Sequence, residues 1–126
     1  MDEELIEDVR KVLKHFSDAA EEGAVVLVEG PRDIEALRML GFTGTILSLS
    51  HLDDWVKANP PPRKIILLMD FDREGVEIVR RLEKRLTAQG YRVDTAGHKR
   101  LMALKRVGIT TVEAMKNLAG LQQRGE

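Results

Sequence analysis

The sequence predicts an α/β domain built on a mainly parallel sheet, because short apolar runs alternate along the chain with amphipathic segments. Ala24–Val28 and residues 64–69 are continuous aliphatic runs, which are typical of strands covered on both faces. The segments that follow these runs carry apolar residues at helical spacing. Ligands of such sheets bind at the carboxyl ends of the strands, so we expect functional residues there.

The composition indicates one domain with an aliphatic core. Of the 126 residues, 43% are hydrophobic, 33% are charged and only 4% are aromatic, so the chain is too apolar to be disordered. The absence of cysteine excludes a disulfide framework, thiolate zinc sites and cysteine nucleophiles. The acidic start and the lack of a long apolar run predict a cytoplasmic protein that does not associate with membranes.

Charge is distributed unevenly along the chain. Residues 1–62 contain 6 Lys/Arg and 13 Asp/Glu, whereas residues 63–126 contain 14 Lys/Arg and 8 Asp/Glu. This asymmetry favours an anionic partner for the basic half, while a folded chain that interleaves the two halves is the alternative.

The predicted elements of the first half are a helix over 3–19, a strand over 24–28, a helix over 31–40, a strand over 45–49 and a helix over 51–58. Pro31 suits the first turn of the second helix, and Gly41 suits its end. Ser50 is the expected N-cap of the third helix.

The predicted elements of the second half are a strand over 64–69, a helix from 73 to about 89, a weaker strand over 91–96, a basic helical stretch over 98–106 and a helix over 111–119. The long helix is expected to bury four aliphatic side chains, Val76, Val79, Leu82 and Leu86. Thr110 and Glu113 fit a capping box that begins the last helix.

Acidic side chains follow two of the predicted strands. Glu29 comes directly after the first strand, and Asp70 and Asp72 come directly after the third. Asp70 and Asp72 project to one side of an extended chain, with Phe71 pointing away. If the two strands are parallel neighbours, all three carboxylates meet at one edge of the sheet.

Such a cluster favours a bound cation. Two unit charges about 4 Å apart repel by roughly 4 kcal/mol at an effective dielectric constant near 20. Carboxylate oxygens suit Mg²⁺, with Mn²⁺ as a substitute, and the chemistry that follows most directly is phosphoryl transfer or phosphodiester cleavage. Neighbouring charges would raise the pKa of Glu29 and allow it to act as a general acid or base.

Each acid also has a structural explanation. Asp72 can cap the helix that begins at residue 73, and Glu74 is favoured by the positive end of that helix. Glu29 can pair with Arg32, and Asp70 can accept hydrogen bonds from backbone N–H groups. The convergence of the acids at strand ends is what favours a metal site over these separate roles.

The segments VEGPRD (residues 28–33) and LMDFDREG (residues 68–75) resemble the motifs of the Toprim domain, over about residues 24–97. The family includes topoisomerases, bacterial primases, overcoming-lysogenization-defect nucleases and the ribonuclease that matures 5S ribosomal RNA. The resemblance implies a Rossmann-like fold with a mainly parallel four-stranded sheet flanked by helices. It divides the chain into an amino-terminal helix (1–22), a Toprim core (23–97) and basic carboxy-terminal helices (98–126).

The resemblance also implies roles for the motif residues. Glu29 corresponds to the family's general acid or base, and Asp70 and Asp72 correspond to its Mg²⁺ ligands. Glu29 and Glu74 are further candidate ligands. The remaining motif residues expected to support the site are Gly30, Asp33 and Gly75.

The basic residues near these strand ends are candidate contacts to RNA or DNA phosphates, namely Arg32, Arg73, His98, Lys99 and Arg100. A topoisomerase needs a domain that supplies a nucleophilic tyrosine, but the only tyrosine, Tyr91, lies in a predicted strand; a replicative primase needs cysteines for zinc. The chain is therefore most similar to small stand-alone Toprim proteins of archaea and bacteria, with a build close to that of the 5S RNA maturase domain.

Two classes of function remain open. The first is an Mg²⁺-dependent nuclease-type hydrolase acting on phosphodiester bonds. The second is a non-catalytic adaptor, or a subunit of a larger assembly, that binds metal and nucleic acid. A haloacid-dehalogenase-type phosphatase is disfavoured because the acidic motif lies mid-chain and is followed by Glu74, and no Walker A loop exists to support a P-loop NTPase.

Overall fold

A computed structural model of the protein describes residues 2–120. Its α-helices are α1 (Glu3–Glu21), α2 (Pro31–Met39), α3 (Leu52–Ala58), α4 (Arg73–Ala88) and α5 (Ala96–Leu101). Its strands are β1 (Ala24–Val28), β2 (Ile46–Ser48), β3 (Lys64–Leu67) and β4 (Val93–Asp94). Short 3₁₀ helices cover Leu49–His51, Met102–Val107 and Glu113–Leu118. Within residues 2–120, no helix is both long and apolar enough to cross a lipid bilayer.

The four strands form one parallel sheet in the order β2-β1-β3-β4. The chain passes from β1 to β2 on one side and then crosses to β3 on the other side of β1. The carboxyl ends of β1 and β3 therefore flank the point where the strand order reverses. In open α/β sheets this is the position where ligands bind. The predicted α/β class with a parallel, four-stranded sheet is confirmed.

Helices cover both faces of the sheet, which explains why the central strands are apolar along their whole length. Successive side chains of a strand point to opposite faces. The face that carries Val26 and Ile66 packs in one cluster with α1, α2, α5 and the carboxy-terminal 3₁₀ helices. The face that carries Leu27 and Leu67 packs in a second cluster with α3 and α4.

Helix α1 is held close to α5 by a glycine. Phe16 of α1 is fully buried, and a Cβ atom at Gly97 would lie 2.5 Å from its ring and 3.1 Å from Val12. Only glycine allows this separation, so Gly97 sets how closely the two helices approach. The predicted amphipathic helix at the amino terminus is present, and it ends at Glu21 rather than near residue 19.

Several local expectations differ from the structure. Val76 is 42% exposed rather than buried, because it lies on the outer side of the first turn of α4. His51, rather than Ser50, precedes α3, since a 3₁₀ turn intervenes. The carboxy-terminal segments are mainly 3₁₀ helices, and the hydroxyl of Thr111, rather than that of Thr110, accepts the N–H of Ala114 at 3.0 Å.

Candidate functional site

The acidic residues of both motifs lie at the carboxyl edge of the central strand pair. Glu29 directly follows β1, and the N–H of Leu68 donates to the carbonyl of Leu27 at 2.9 Å, so the chain beyond β3 still runs beside β1. Asp70 is reached two residues later. The pairing of β1 with β3 thus brings Glu29 and Asp70 to one edge from 41 residues apart in the sequence.

The surroundings of Glu29 favour its protonated form. Partial burial raises the pKa of this carboxyl, and the negative charges of its neighbours raise the pKa further, in the order Asp70, Asp33, Glu74 and Asp72. No lysine or arginine forms an ion pair with Glu29 in the part of the chain described, so the alternative of a Glu29–Arg32 pair is not realised. The carboxyl is exposed enough to meet a substrate. It can therefore hold a proton at this edge and exchange it.

Asp70 and the next residue, Phe71, are held by three groups from the carboxy-terminal part of the chain. The N–H of Val112 donates to its Oδ1 at 2.9 Å, and Nε2 of His98 donates to its backbone carbonyl at 3.1 Å. The N–H of the next residue, Phe71, donates to the carbonyl of Thr110 at 2.8 Å. Oδ2 of Asp70 makes no hydrogen bond or ion pair with residues 2–120, and it is the oxygen available to a cation.

Asp72 caps helix α4. Its Oδ1 accepts the N–H of Gly75 at 2.8 Å, the contact typical of an N-cap residue. Gly75 packs directly on the backbone of Asp70: a Cβ atom there would collide with the Asp70 carbonyl oxygen and lie 2.6 Å from the carbonyl carbon. The glycine of the second motif therefore lets α4 begin immediately beside residues 70–72, which we call the acidic loop. Glu74 lies in the first turn of α4, and its negative charge contributes to the raised pKa of Glu29.

Asp33 lies in the first turn of α2 and faces the same edge. Its Oδ2 accepts the N–H of Gly30 at 3.1 Å. Burial raises the pKa of Asp33, against the lowering effect of the Gly30 hydrogen bond, and the charges of Asp70 and Glu113 raise it further. Gly30 is extended, with open space where a Cβ atom would be, so its contribution is the N–H group rather than small size.

The residues fit a hydrated Mg²⁺ ion. Among residues 2–120, no three His, Asp or Glu side chains are arranged to hold a metal ion by themselves. Mg²⁺ is commonly bound by one or two carboxylates and keeps several water ligands. Asp70 and Asp72 supply hard oxygen atoms, and neither forms an ion pair with another described residue. A cation at this edge would offset the mutual repulsion of the carboxylates.

The candidate nucleic-acid contacts differ in their exposure and in their ion pairs. Arg32, Arg73 and Lys99 are exposed and form no ion pair with other residues of the described range. Arg100 is exposed, but its guanidinium donates to Asp8 of α1 at 2.8 Å. His98 differs from the prediction, because only 3% of it is exposed and it cannot reach a phosphate.

His98 instead supports the acidic loop from inside. Its ring stacks on Phe71, with centroids 5.7 Å apart, and Nε2 binds the Asp70 carbonyl. Burial lowers the pKa of His98, although the Asp70 carbonyl and carboxylate oppose that shift. The neutral ring is therefore a donor in the core rather than a cation on the surface.

Sequence reasoning missed Thr110, Val112 and Glu113. Thr110 and Val112 act through backbone groups, which leave no signal in residue type. Glu113 was assigned only to a helix cap, yet its charge reaches Asp33 because Glu113–Leu118 packs against α2.

The chain is similar to known proteins over most of its length. Residues 24–98 match the Toprim domain. A UPF0292 protein of Thermococcus onnurineus is 36% identical over 121 residues, which cover 94% of this chain and 81% of that protein. A UPF0292 protein of Methanocaldococcus jannaschii is 29% identical over 117 residues, which cover 90% of this chain and 91% of that protein.

A solved structure of a protein from Aquifex aeolicus is also similar. It has a TM-score of 0.66 and 29% identity, with coverage of 83% of this chain and 95% of that one. The two motifs, the parallel sheet and the match over more than half of the sequence lead to one conclusion. The chain belongs to the Toprim domain family.

Proposed function

We propose that the protein hydrolyses phosphodiester bonds of RNA or DNA with the help of Mg²⁺. Membership in the Toprim family supports Mg²⁺-dependent action on nucleic acid at the level of the family. The observation that carries the proposal is the position of Glu29, a carboxyl with a raised pKa, beside Asp70 and Asp72 at the point where the strand order reverses.

Each residue has a distinct role in this proposal. Asp70, through Oδ2, and Asp72 would hold the ion, and Glu74 would add a further negative charge. A bound Mg²⁺ ion polarises a phosphate oxygen and supports the attacking water. Glu29 would take a proton from that water or return one to the leaving oxygen, because its raised pKa lies nearer to neutral pH than that of an isolated carboxyl.

The exposed cations Arg32, Arg73 and Lys99 would contact phosphates on either side of the reacting bond. Contacts of this kind position the substrate but carry no sequence information. Hydrolysis is favoured over synthesis because the sequence has no recognisable loop that holds a nucleotide.

A matched pair of variants tests the proposal. Glu29→Gln changes the residue after β1, and Glu22→Gln makes the same chemical change two residues before β1, at the opposite edge of the sheet. We expect Glu29→Gln to lower Mg²⁺-dependent cleavage of labelled structured RNA, single-stranded DNA or duplex DNA by about 10²–10⁴-fold, with nucleic-acid binding retained. Glu22→Gln should cleave like the wild type.

Asp70→Asn provides a second test, because the amide oxygen can still accept the Val112 N–H while the negative charge is lost. The variant should fold normally and lose both Mg²⁺ binding and cleavage. If the wild type and Asp70→Asn gave the same products on every substrate, the protein would not be a nuclease of this type.

The second candidate function is a non-catalytic adaptor that binds metal and nucleic acid. The observation in its favour is that Asp70 and Asp72 each commit one carboxylate oxygen to a structural hydrogen bond. If the protein is an adaptor, the wild type and Glu29→Gln should bind nucleic acid with the same affinity, and neither should show Mg²⁺-dependent turnover.

A further inference from the structure

We propose that residues 105–110, which we call the 105–110 hairpin, form a docking surface for the phosphate backbone of nucleic acid beside Asp70. The nature of the partner rests on the proposed function. The location of the surface rests on the contacts, exposure and charge of the hairpin itself. The hairpin lies beyond the residues that match the Toprim domain.

The hairpin consists of the end of the 3₁₀ helix Met102–Val107 and the turn at Gly108 that follows it. The N–H of Gly108 donates to the carbonyl of Lys105 at 3.1 Å, and the N–H of Ile109 donates to the carbonyl of Leu104 at 3.1 Å. Gly108 has a φ of 80°, a conformation that favours glycine. Leu104 and Ile109 are buried, whereas Lys105, Arg106 and Val107 are exposed. The apolar residues thus anchor a turn whose tip faces solvent.

The hairpin is joined directly to the acidic loop. The carbonyl of Thr110 accepts the N–H of Phe71, and two residues later the N–H of Val112 binds Asp70. Thr110 is four positions after Arg106, so their Cα atoms are at most about 14 Å apart. A phosphate held at the tip is therefore within a few nucleotides of Asp70.

No acidic side chain within residues 2–120 pairs with the cations of the hairpin. Residues 95–112 contain four Lys/Arg and no Asp/Glu. Lys105 and Arg106 form no ion pair with any residue between 2 and 120. The competing basic surface on α4 is different, because Arg80 and Arg81 both face Glu77.

Positive charge beside an acidic site is needed to attract a polyanion. The carboxylates at the sheet edge repel a polyanion, so the attraction that brings a nucleic acid to them must come from cations beside them. Uncompensated positive charge beside a cleft raises the local concentration of an anionic ligand. The 105–110 hairpin adds to the charge of Arg32, Arg73 and Lys99, on a segment whose last residue is hydrogen-bonded to the acidic loop.

The test compares two double variants of equal charge change. Lys105→Gln/Arg106→Gln alters the hairpin, and Arg80→Gln/Arg81→Gln alters α4. Binding of fluorescent single-stranded RNA, single-stranded DNA and duplex DNA is measured by anisotropy over a range of salt, with EDTA present so that no cleavage occurs. Urea unfolding of both variants checks that each folds like the wild type.

We expect the hairpin variant to bind on the order of tenfold more weakly at 0.1 M salt, and the slope of log K against log salt to fall by roughly 1.4–1.8 for two lost phosphate contacts. The α4 variant should change by less than half as much. The three probes show whether RNA or DNA is bound best.

Equal losses in the two variants, a loss confined to the α4 variant, or no binding by the wild type would each overturn the proposal. Competition by polyglutamate as strong as that by RNA would assign the hairpin to an acidic protein instead. Failure of cleavage with hairpin-dependent binding intact would overturn the nuclease proposal and leave the docking surface standing.

Discussion

Substitution of Gly75 by alanine tests the geometry on which the site depends. The added Cβ atom would lie 2.6 Å from the carbonyl carbon of Asp70 and 3.0 Å from its Cα. Ordinary contact begins at 3.4 Å, so the start of α4 or the acidic loop must move by at least 0.8 Å. Both obstacles are backbone atoms, so no side chain can rotate to make room.

The expected effect has two parts. Crowding of this kind costs about 1–3 kcal/mol in the free energy of unfolding, which corresponds to a fall in melting temperature of roughly 3–15 °C for a domain of this size. The sign is diagnostic, because the same change inside an unobstructed helix would stabilise by up to about 1 kcal/mol. A shift near 1 Å in a catalytic group can cost about 10²-fold in rate.

Gly30→Ala is the matched control. Gly30 also belongs to a motif, yet nothing lies within 4 Å of a Cβ atom built there. Melting is followed by circular dichroism, and Mg²⁺ binding is measured by titration calorimetry. We expect Gly30→Ala to have a melting temperature and an Mg²⁺ affinity close to those of the wild type, and Gly75→Ala to have lower values of both. If the two variants had the same melting temperature and the same Mg²⁺ affinity, the site would not depend on the close approach of α4 to Asp70, and our explanation of Gly75 would be wrong.

Three further predictions concern the cap, the buried histidine and the β4 carboxylate. Asp72→Asn should keep the cap and lose Mg²⁺ affinity, whereas Asp72→Ala should also lose about 1 kcal/mol in urea unfolding. His98→Leu should lose about 1–3 kcal/mol, because the Asp70 carbonyl loses its donor, and His98→Gln, which keeps a donor, should unfold nearer to the wild type. Burial alone would raise the pKa of Asp94, but hydrogen bonds from His15, a backbone N–H and Lys64 lower it overall. The advantage of the wild type over Asp94→Asn in unfolding free energy, about 1–2 kcal/mol at neutral pH, should therefore shrink as pH falls below about 4, and a constant difference would contradict this assignment.

The fold was largely predictable because its signals are local and strong. Ala24–Val28 is apolar at every position, which only a strand buried on both faces explains. The type and the bounds of the helices were harder to predict where the same spacing of apolar residues fits more than one kind of helix. Residues 98–119 have helical spacing, yet most of them form 3₁₀ helices, and residue type does not distinguish these from α-helix.

The positions of the acidic residues were predictable for a different reason. Neighbouring parallel strands bring their carboxyl ends to one edge, so the sequence predicts Glu29, Asp70 and Asp72 there on the condition that β1 pairs with β3, and the structure contains that pairing. The role of His98 could not be predicted, since the residue type alone does not distinguish a histidine cation on the surface from a neutral, buried histidine that donates a hydrogen bond. The contacts of Val112 were also invisible, because every residue except proline offers a backbone N–H.

The hydrogen bonds from Thr110 and Val112 have a consequence for work with shortened proteins. A fragment that stops at residue 98, where the match to the Toprim domain ends, would leave Oδ1 of Asp70 and the N–H of Phe71 without their partners. It would also remove Leu101, Leu104 and Val112 from the cluster that covers the sheet face carrying Val26 and Ile66. We therefore expect a fragment limited to the residues that match the Toprim domain to hold its acidic loop less firmly than the longer chain, because the hydrogen bonds that fix the loop come from residues outside that match.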